Sequence, residues 1–295
     1  MRSGAVVEEA GHVFGLPSGI AGEAARRYEA HSFSGLPAGY HRGLPSRALT
    51  FRFSLGEPAE ITSMPDPAQP SGTFSAFVGG LHSSPALIAH SGTGSGIGID
   101  VSPLASRRLF GIPAGSLASV VVALDDLIGT TLTTELCDRL QSTATWPERF
   151  RVLDEVLARV ISTHEPRSLA PEVVEAWRCI VASRGGTSVE ALAAHVGWSR
   201  RHLASRFNTE IGLSPKVAIR VVRFESACEL LISNRAASLA DAAARAGFYD
   251  QSHLYREWSD LAGCSPRAWL AEEFHDPPRL DGEFSFVQDV ERPAV

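Results

Sequence analysis

The feature that most constrains this 295-residue chain is a duplication near its C-terminal end. Ser188 to Gly212 and Ser238 to Gly263 follow one skeleton. Gly197 answers to Gly247, Leu203 to Leu254 and Phe207 to Trp258, and each copy ends in Gly-x-Ser-Pro, at Gly212–Pro215 and Gly263–Pro266. Val217 to Ile232 lies between them with the spacing of an amphipathic helix long enough to join two modules rigidly. A repeat of this size bounds the fold. Each copy is a small helical unit, and the connecting helix is shared.

Within the first copy, Val189, Leu192, Ala193 and Val196 form the apolar face of a short helix, and Gly197 stands where a helix end needs a left-handed residue. Ser199 caps a second helix, in which Leu203 and Phe207 face inward and Arg200, Arg201, Ala204 and Ser205 face outward. Two helices joined by a tight glycine turn, the second opening on paired arginines, are the pattern of a helix-turn-helix. Guanidinium forks suit phosphate and the O6/N7 edge of guanine. The formal net charge of −6 hides a local excess: Arg200, Arg201, Arg206, Lys216, Arg220 and Arg223 stand against Glu210 alone between Val196 and Phe224. A basic island in an acidic chain is the footprint of a nucleic-acid contact, although a solvated helical face gives the same run of charge.

Gly247-Phe248-x-Asp250-Gln251-Ser252-His253-Leu254, Trp258, Gly263, Ser265-Pro266 and Trp269 resemble the signature of the AraC/XylS family of bacterial transcriptional regulators. The resemblance spans 171–274. It implies an all-helical domain with helix-turn-helix units at about 188–209 and 238–259, placing recognition helices in successive major grooves of double-stranded DNA. By position, it implies base contacts from Arg201, Ala204 and Ser205 and from Gln251, Ser252, His253 and Arg256, with Arg200 and Arg206 as phosphate partners. Ala204 has no group to hydrogen-bond a base, and Arg206 takes a usually apolar position, its stem lining the core. His253 has a structural alternative as a capping or packing residue at the helix start.

The N-terminal half is β-rich. Residues 1–45 read as an extended arm, with a short helix at Gly22–Ala30; Ala48–Leu55 alternates apolar and polar as a half-buried strand does. Further strands are expected at Thr73–Val78, Ala86–His90 and Gly96–Val101, with a proline-rich loop at Met64–Gly72. Helices follow at Pro103–Phe110, Thr133–Leu140 and Trp146–Ile161, and the polar, proline-containing Thr163–Pro171 is the expected boundary. Gly79-Gly80-Leu81-His82, Pro103-Leu104-x-x-Arg107-Arg108-Leu109-Phe110-Gly111 and Trp146-x-x-Arg149-Phe150 resemble the effector or dimerisation domains of actinobacterial members of the family. The glycine run Ser91–Gly98 fails the G-x-G-x-x-G spacing and leads into a strand, so it reads as a turn or barrel corner, not a phosphate loop.

Metal and catalysis find no support in spacing. Cys137, Cys179, Cys228 and Cys264 form no C-x-x-C pair and have no close histidine. His82, His90 and Asp100 fall in the β region without an H-x-H pair, so structural roles are expected for them. No stretch reaches 18 consecutive apolar residues, and Glu8 and Glu9 argue against a secretory signal. The expectation is an α+β chain: a β-rich effector/dimerisation domain (46–165) with flanking helices, an all-α tandem helix-turn-helix domain (171–274) and a mobile tail (276–295). It is a cytoplasmic, nucleoid-associated regulator, not an enzyme, needing no cofactor. Its expected partners are double-stranded DNA, an unidentified small-molecule effector, a second copy of itself, and RNA polymerase if it activates; no membrane is involved. Two rivals carry the same DNA-binding domain. A DNA-repair enzyme would need a reactive cysteine in a Pro-Cys-His-like or zinc-cluster setting, and neither is present. A metabolite-binding enzyme would have no use for intact recognition-helix chemistry.

Overall fold

The computed structural model describes residues 6–9, 12–164, 168–233 and 235–273. The N-terminal half contains β1 (Val6–Glu9), β2 (His12–Gly15), β3 (Ala25–Phe33), β4 (Gly39–Gly43), β5 (Leu49–Ser54), β6 (Ala59–Ser63), β7 (Gly72–Phe74), β8 (Ala76–Gly79), β9 (Ala86–His90), β10 (Gly94–Val101) and β11 (Val121–Ala123). Its helices are α1 (Ser106–Phe110), α2 (Leu124–Ile128), α3 (Thr130–Ser142) and α4 (Trp146–Thr163). The C-terminal half is helical: α5 (Pro171–Ala182), α6 (Val189–His195), α7 (Arg200–Ile211), α8 (Pro215–Ile232), α9 (Leu239–Arg245), α10 (Gln251–Ala262) and α11 (Pro266–Glu273).

The strands form two antiparallel sheets, a seven-stranded one in the order β1-β2-β3-β10-β5-β8-β11 and a four-stranded one in the order β4-β9-β6-β7. Period-two alternation decides which side chains enter the core. In β5, Leu49, Phe51 and Phe53 are buried while Thr50, Arg52 and Ser54 are half-buried. Ile97 of β10 lies opposite Ala30 and Phe53, which puts the apolar residues of three neighbouring strands on one face. Helix α4 covers that face. Phe150 stacks on Tyr28 at 5.3 Å, and Asp154 accepts hydrogen bonds from the Tyr28 hydroxyl (2.6 Å) and from the Ser18 amide (3.0 Å). A second, smaller core of Ile61, Met64, Phe77, Ala86 and Val121 lies between the sheets.

Several expectations need correction. Gly22–Ala30 is not a helix: Ala25–Phe33 is strand β3, paired with both β2 and β10, because Tyr28 and Ala30 alternate with Arg27 and Glu29. The arm is therefore largely built into the sheets, with β2, β3 and β4 all drawn from it. Ser91–Gly98 is neither a turn nor a corner over its second half, since Gly94–Val101 is a central strand. Its glycines make room for side chains: a Cβ at Gly96 would stand 3.0 Å from the His31 ring, and one at Gly98 would meet the Arg52 guanidinium at 2.2 Å. Strands β6 and β11 add to those expected. Of the boundary segment, residues 165–167 lie outside the described residues, as does the tail 276–295.

The two halves share one continuous hydrophobic core, running from Phe51 and Ile99 through Ala114 and Leu117 to Ile211 and Leu213. The 3-10 turn at Ala114–Leu117 seats Gly115 against α7, where a Cβ would come within 2.3 Å of the Thr209 carbonyl oxygen. Only glycine fits there.

Candidate DNA-binding surface

Each helix-turn-helix is assembled from local capping signals. In the first, Ser188 caps α6 by accepting from the Ala191 amide (3.1 Å), and Gly197 turns the chain at φ 73°. Ser199 then caps α7, accepting from the His202 amide at 3.2 Å. The second repeats this with Ser238 on α9, Gly247 at φ 79° and Asp250 on α10, which accepts from the His253 amide at 2.7 Å. The shared tails are helix stops and starts. Gly212 and Gly263 end α7 and α10 in the left-handed conformation, and Ser214-Pro215 and Ser265-Pro266 open the next helices.

The inward faces are closed. Leu203, Phe207, Leu254 and Trp258 are each fully buried. Phe207 lies 6.1 Å from Trp177, and Trp258 lies 4.8 Å from Phe224 and 5.3 Å from Trp269.

The outward faces hold the residues expected to read DNA. On α7, Arg200, Arg201, Ser205 and Arg206 are exposed and Ala204 is half-buried; on α10, Ser252 and Arg256 are exposed and Gln251 and His253 are half-buried. Two details bear on these expectations. Arg206 is exposed, so its stem does not line the core, because the inward position one residue on belongs to Phe207. His253 is engaged in its own turn: its Nδ1 accepts from the Tyr249 amide (3.3 Å), and its ring meets Phe248 edge-on at 5.4 Å. Both contacts fit the structural alternative for this residue at the helix start.

The basic island is also smaller than its sequence suggests. Arg220 of α8 donates to Glu257 (2.6 Å) and Asp260 (3.2 Å) on α10. Arg223 donates to the Gly185 carbonyl at 2.8 Å and lies 5.7 Å from the centre of the Phe248 ring. These two cations join parts of the domain to each other. Arg200 is paired with Glu190 at 2.9 Å, both largely exposed. Arg201, Arg206 and Lys216 point to solvent.

What sequence reasoning missed is how the N-terminal half grips this surface. Arg107 of α1 holds Glu210 of the first recognition helix through two hydrogen bonds, 2.8 and 3.0 Å, and Glu210 is 6% exposed. Arg47 pairs with Glu225 (3.2 Å) and Glu229 (3.0 Å) of the linking helix α8. Arg42 of β4 donates to Glu272 on α11 (2.6 and 3.2 Å), and its backbone amide donates to Glu273 at 2.7 Å. The arginines come from the N-terminal half and the carboxylates from the helical half. No motif announces such pairs, since 103 positions separate Arg107 from Glu210.

Helix α1 has a second face. Leu109 and Phe110 line an apolar cavity of about 10 Å³ under the large sheet, together with Phe51, Leu153, Val156 and Val160. That volume is about the minimum for one water molecule. The three histidine and aspartate residues of the β region do not converge: His82 is buried with its Nδ1 2.5 Å from the Ser84 carbonyl, His90 meets the Phe33 ring edge-on, and Asp100 pairs with Arg27 at 3.0 Å. Burial pushes the His82 imidazole down to about 4, so it is neutral near pH 7.

Residues 192–272 match the family model described as a helix-turn-helix domain. Over most of the chain the fold is similar to that of ToxT from Vibrio cholerae O395, with a TM-score of 0.52 and 11% sequence identity, covering 84% of this chain and 98% of that one. A structure of ToxT from V. cholerae strain SCE256 gives 0.51 and 10%, covering 84% and 95%. The chain is thus a β-rich domain joined to a helix-turn-helix domain, an architecture it shares with ToxT. Its helix-turn-helix domain is of the AraC type.

Proposed function

We propose that the chain regulates transcription by reading two successive major grooves of double-stranded DNA, binding DNA without catalysing any reaction on it. The observation that carries this reading is the pair of capped helices α7 and α10. Each is fully buried on its inner face and presents an outward start, Arg200 and Arg201 in one, Gln251 and Ser252 in the other. Arg201 is exposed, with neither a capping nor a packing duty among the described residues, and is the guanine reader; Gln251 and Arg256 read adenine and guanine in the second half-site. Ser205 and Ser252 contribute polar base contacts, Ala204 an apolar one, and Arg200 and Arg206 meet phosphates.

The N-terminal domain is the controlling element, and its subtype is that of the actinobacterial members of the family. ToxT structures hold an unsaturated fatty acid and an aryl butenoic acid. Here an apolar effector enters the cavity under the sheet by displacing Phe110 or α4, or a second copy of the chain binds. RNA polymerase is the partner of an activating form, and the protein works in the cytoplasm at the nucleoid. Among the described residues no helix is long and apolar enough to cross a membrane.

The test is selection of duplexes from a random library with the purified chain, followed by fluorescence anisotropy on the selected and random sequences. The selected site is expected to bind at least ~10³-fold more tightly at physiological salt. Equal affinity for both would overturn sequence-specific reading.

A further inference from the structure

We propose that Glu175, Cys179 and His195 form a binding site for a first-row divalent transition-metal ion, zinc being the ion that fits, with one coordination position left to solvent. Glu175 and Cys179 stand four residues apart on α5, the spacing that puts two side chains on one helical face. His195 comes from the last turn of α6. The His195 Nε2 and the Glu175 Oε1 are 3.1 Å apart, the Cys179 Sγ is 3.5 Å from that same oxygen, and the three ligand atoms all lie within 4.8 Å of one another. A tetrahedral ion with bonds of about 2.0–2.3 Å holds its ligand atoms roughly 3–4 Å apart. The groups are already near that separation.

The donor set is selective. One imidazole nitrogen, one thiolate sulfur and one carboxylate oxygen suit zinc and its neighbours, whereas magnesium and calcium call for oxygen ligands. Charge also balances. On binding, the Cys179 thiol gives its proton to solvent, and the contact between His195 and Glu175 gives way to one bond from each to the ion. A thiolate, a carboxylate and a neutral imidazole together offset the two positive charges. The hydrogen bond with His195 already holds the Glu175 carboxyl below its ordinary range, and burial pushes the Cys179 thiol up, so the thiol proton is the one the ion must displace. Glu175 and His195 are 46% and 57% exposed, which gives the ion a direct path and leaves room for a water ligand.

The consequence is specific to one half of the DNA-binding domain. Helix α6 is seven residues long, and His195 stands two residues before the Gly197 turn that aims the first recognition helix. An ion would staple α6 to α5 and so stiffen the first helix-turn-helix. At the matching place in the second unit stands Arg245, paired with Asp241 on its own helix, which has no capacity to ligate. Sequence spacing hides the site because sixteen positions separate Cys179 from His195 and neither stands in a C-x-x-C or H-x3–5-H pair.

The experiment uses the full chain, stripped with a chelator and titrated with Zn²⁺ against a chromophoric competitor, and separately with Co²⁺ followed by absorption. Loading of one equivalent is expected, with a thiolate-to-cobalt charge-transfer band that survives Cys137→Ser and disappears in Cys179→Ser. Cys179→Ser and His195→Ala should each weaken zinc by more than the ~10–100-fold typical of losing an outer partner. Zinc should raise the thermal midpoint of the wild-type chain but not that of His195→Ala. If Cys179→Ser loses its helical circular dichroism, Glu175→Gln and His195→Ala, both at exposed side chains, decide the matter. Absence of the charge-transfer band, or unchanged zinc affinity in the variants, would overturn the site.

Discussion

The two helix-turn-helix units share a backbone plan yet differ by one residue and by their surroundings. In the first, Ser199 caps the recognition helix two residues after Gly197; in the second, Asp250 does so three residues after Gly247. The inserted residue is Tyr249, which is 92% exposed. The first unit is held to the N-terminal half by the buried Arg107–Glu210 pair and carries the cations Arg201 and Arg206, which are exposed and have no ion-pair partner among the described residues. The second is held through α11 by the Arg42–Glu272 pair, in which Glu272 is 38% exposed, and it turns Gln251, Ser252 and Arg256 outward. The contrast teaches that a repeat conserves what closes its core and frees what faces solvent. On the proposed reading the first unit is the electrostatic anchor, and the Arg107–Glu210 pair ties it to the N-terminal half.

The comparison breaks most sharply at the cores. Phe207→Ala and Trp258→Ala should each lower stability by about 3–5 kcal/mol in urea unfolding, because each removes a fully buried aromatic that cannot be refilled. A cost below about 1 kcal/mol for either would mean that the units are not equivalent. The interdomain ties come next. Glu210→Ala removes a carboxylate only 8% exposed and should cost about 3 kcal/mol, the low end for breaking a buried pair, whereas Glu272→Ala should cost about 0–1 kcal/mol because Glu272 is itself 38% exposed and Arg42 keeps the Ala262 carbonyl. Equal costs would erase the distinction between a buried and an exposed tie.

The reading surface is sharpened by smaller effects. Arg201→Ala should weaken the selected duplex by about 1–3 kcal/mol and relax preference at one base position. Equal loss on random DNA would instead make Arg201 a phosphate contact. Smallest is the change in salt dependence. Arg200→Ala with Arg206→Ala should flatten the plot of log affinity against log salt by about 1–2, while Gln251→Ala should leave the slope nearly as it was. The single Arg200 variant should flatten it less than the single Arg206 variant, because Arg200 must first leave Glu190. If Gln251→Ala flattens the slope as much as the double variant, the division of labour between the units is wrong.

How much of this was legible varies with the reach of each interaction. The helix-turn-helix pair, its capping serines and its Gly-x-Ser-Pro tails could be read directly, as could β9 at Ala86–His90 and the helix beginning at Trp146. Residues 22–30 are ambiguous in sequence because Ala21, Ala24, Ala25 and Tyr28 also satisfy helical spacing, and only pairing with β2 and β10 selects the extended form. The basic island looked uniform in sequence, yet Arg220 and Arg223 are tied to Glu257, Asp260 and Gly185 across the fold.

By itself, then, the sequence determined where helices start, stop and turn in the DNA-binding half, and which residues close its two cores. Those signals act within one or two helical turns: a serine oxygen reaches an amide three residues on, and a glycine reverses the chain where it stands. Only the tertiary structure decided which half of Ser91–Gly98 is strand, that Arg220 and Arg223 are paired within the fold, and that Arg107 grips Glu210. It alone brought Glu175 and Cys179 to His195. Each of these depends on groups tens of residues apart, whose meeting follows from how helices and sheets pack and leaves no trace in local spacing.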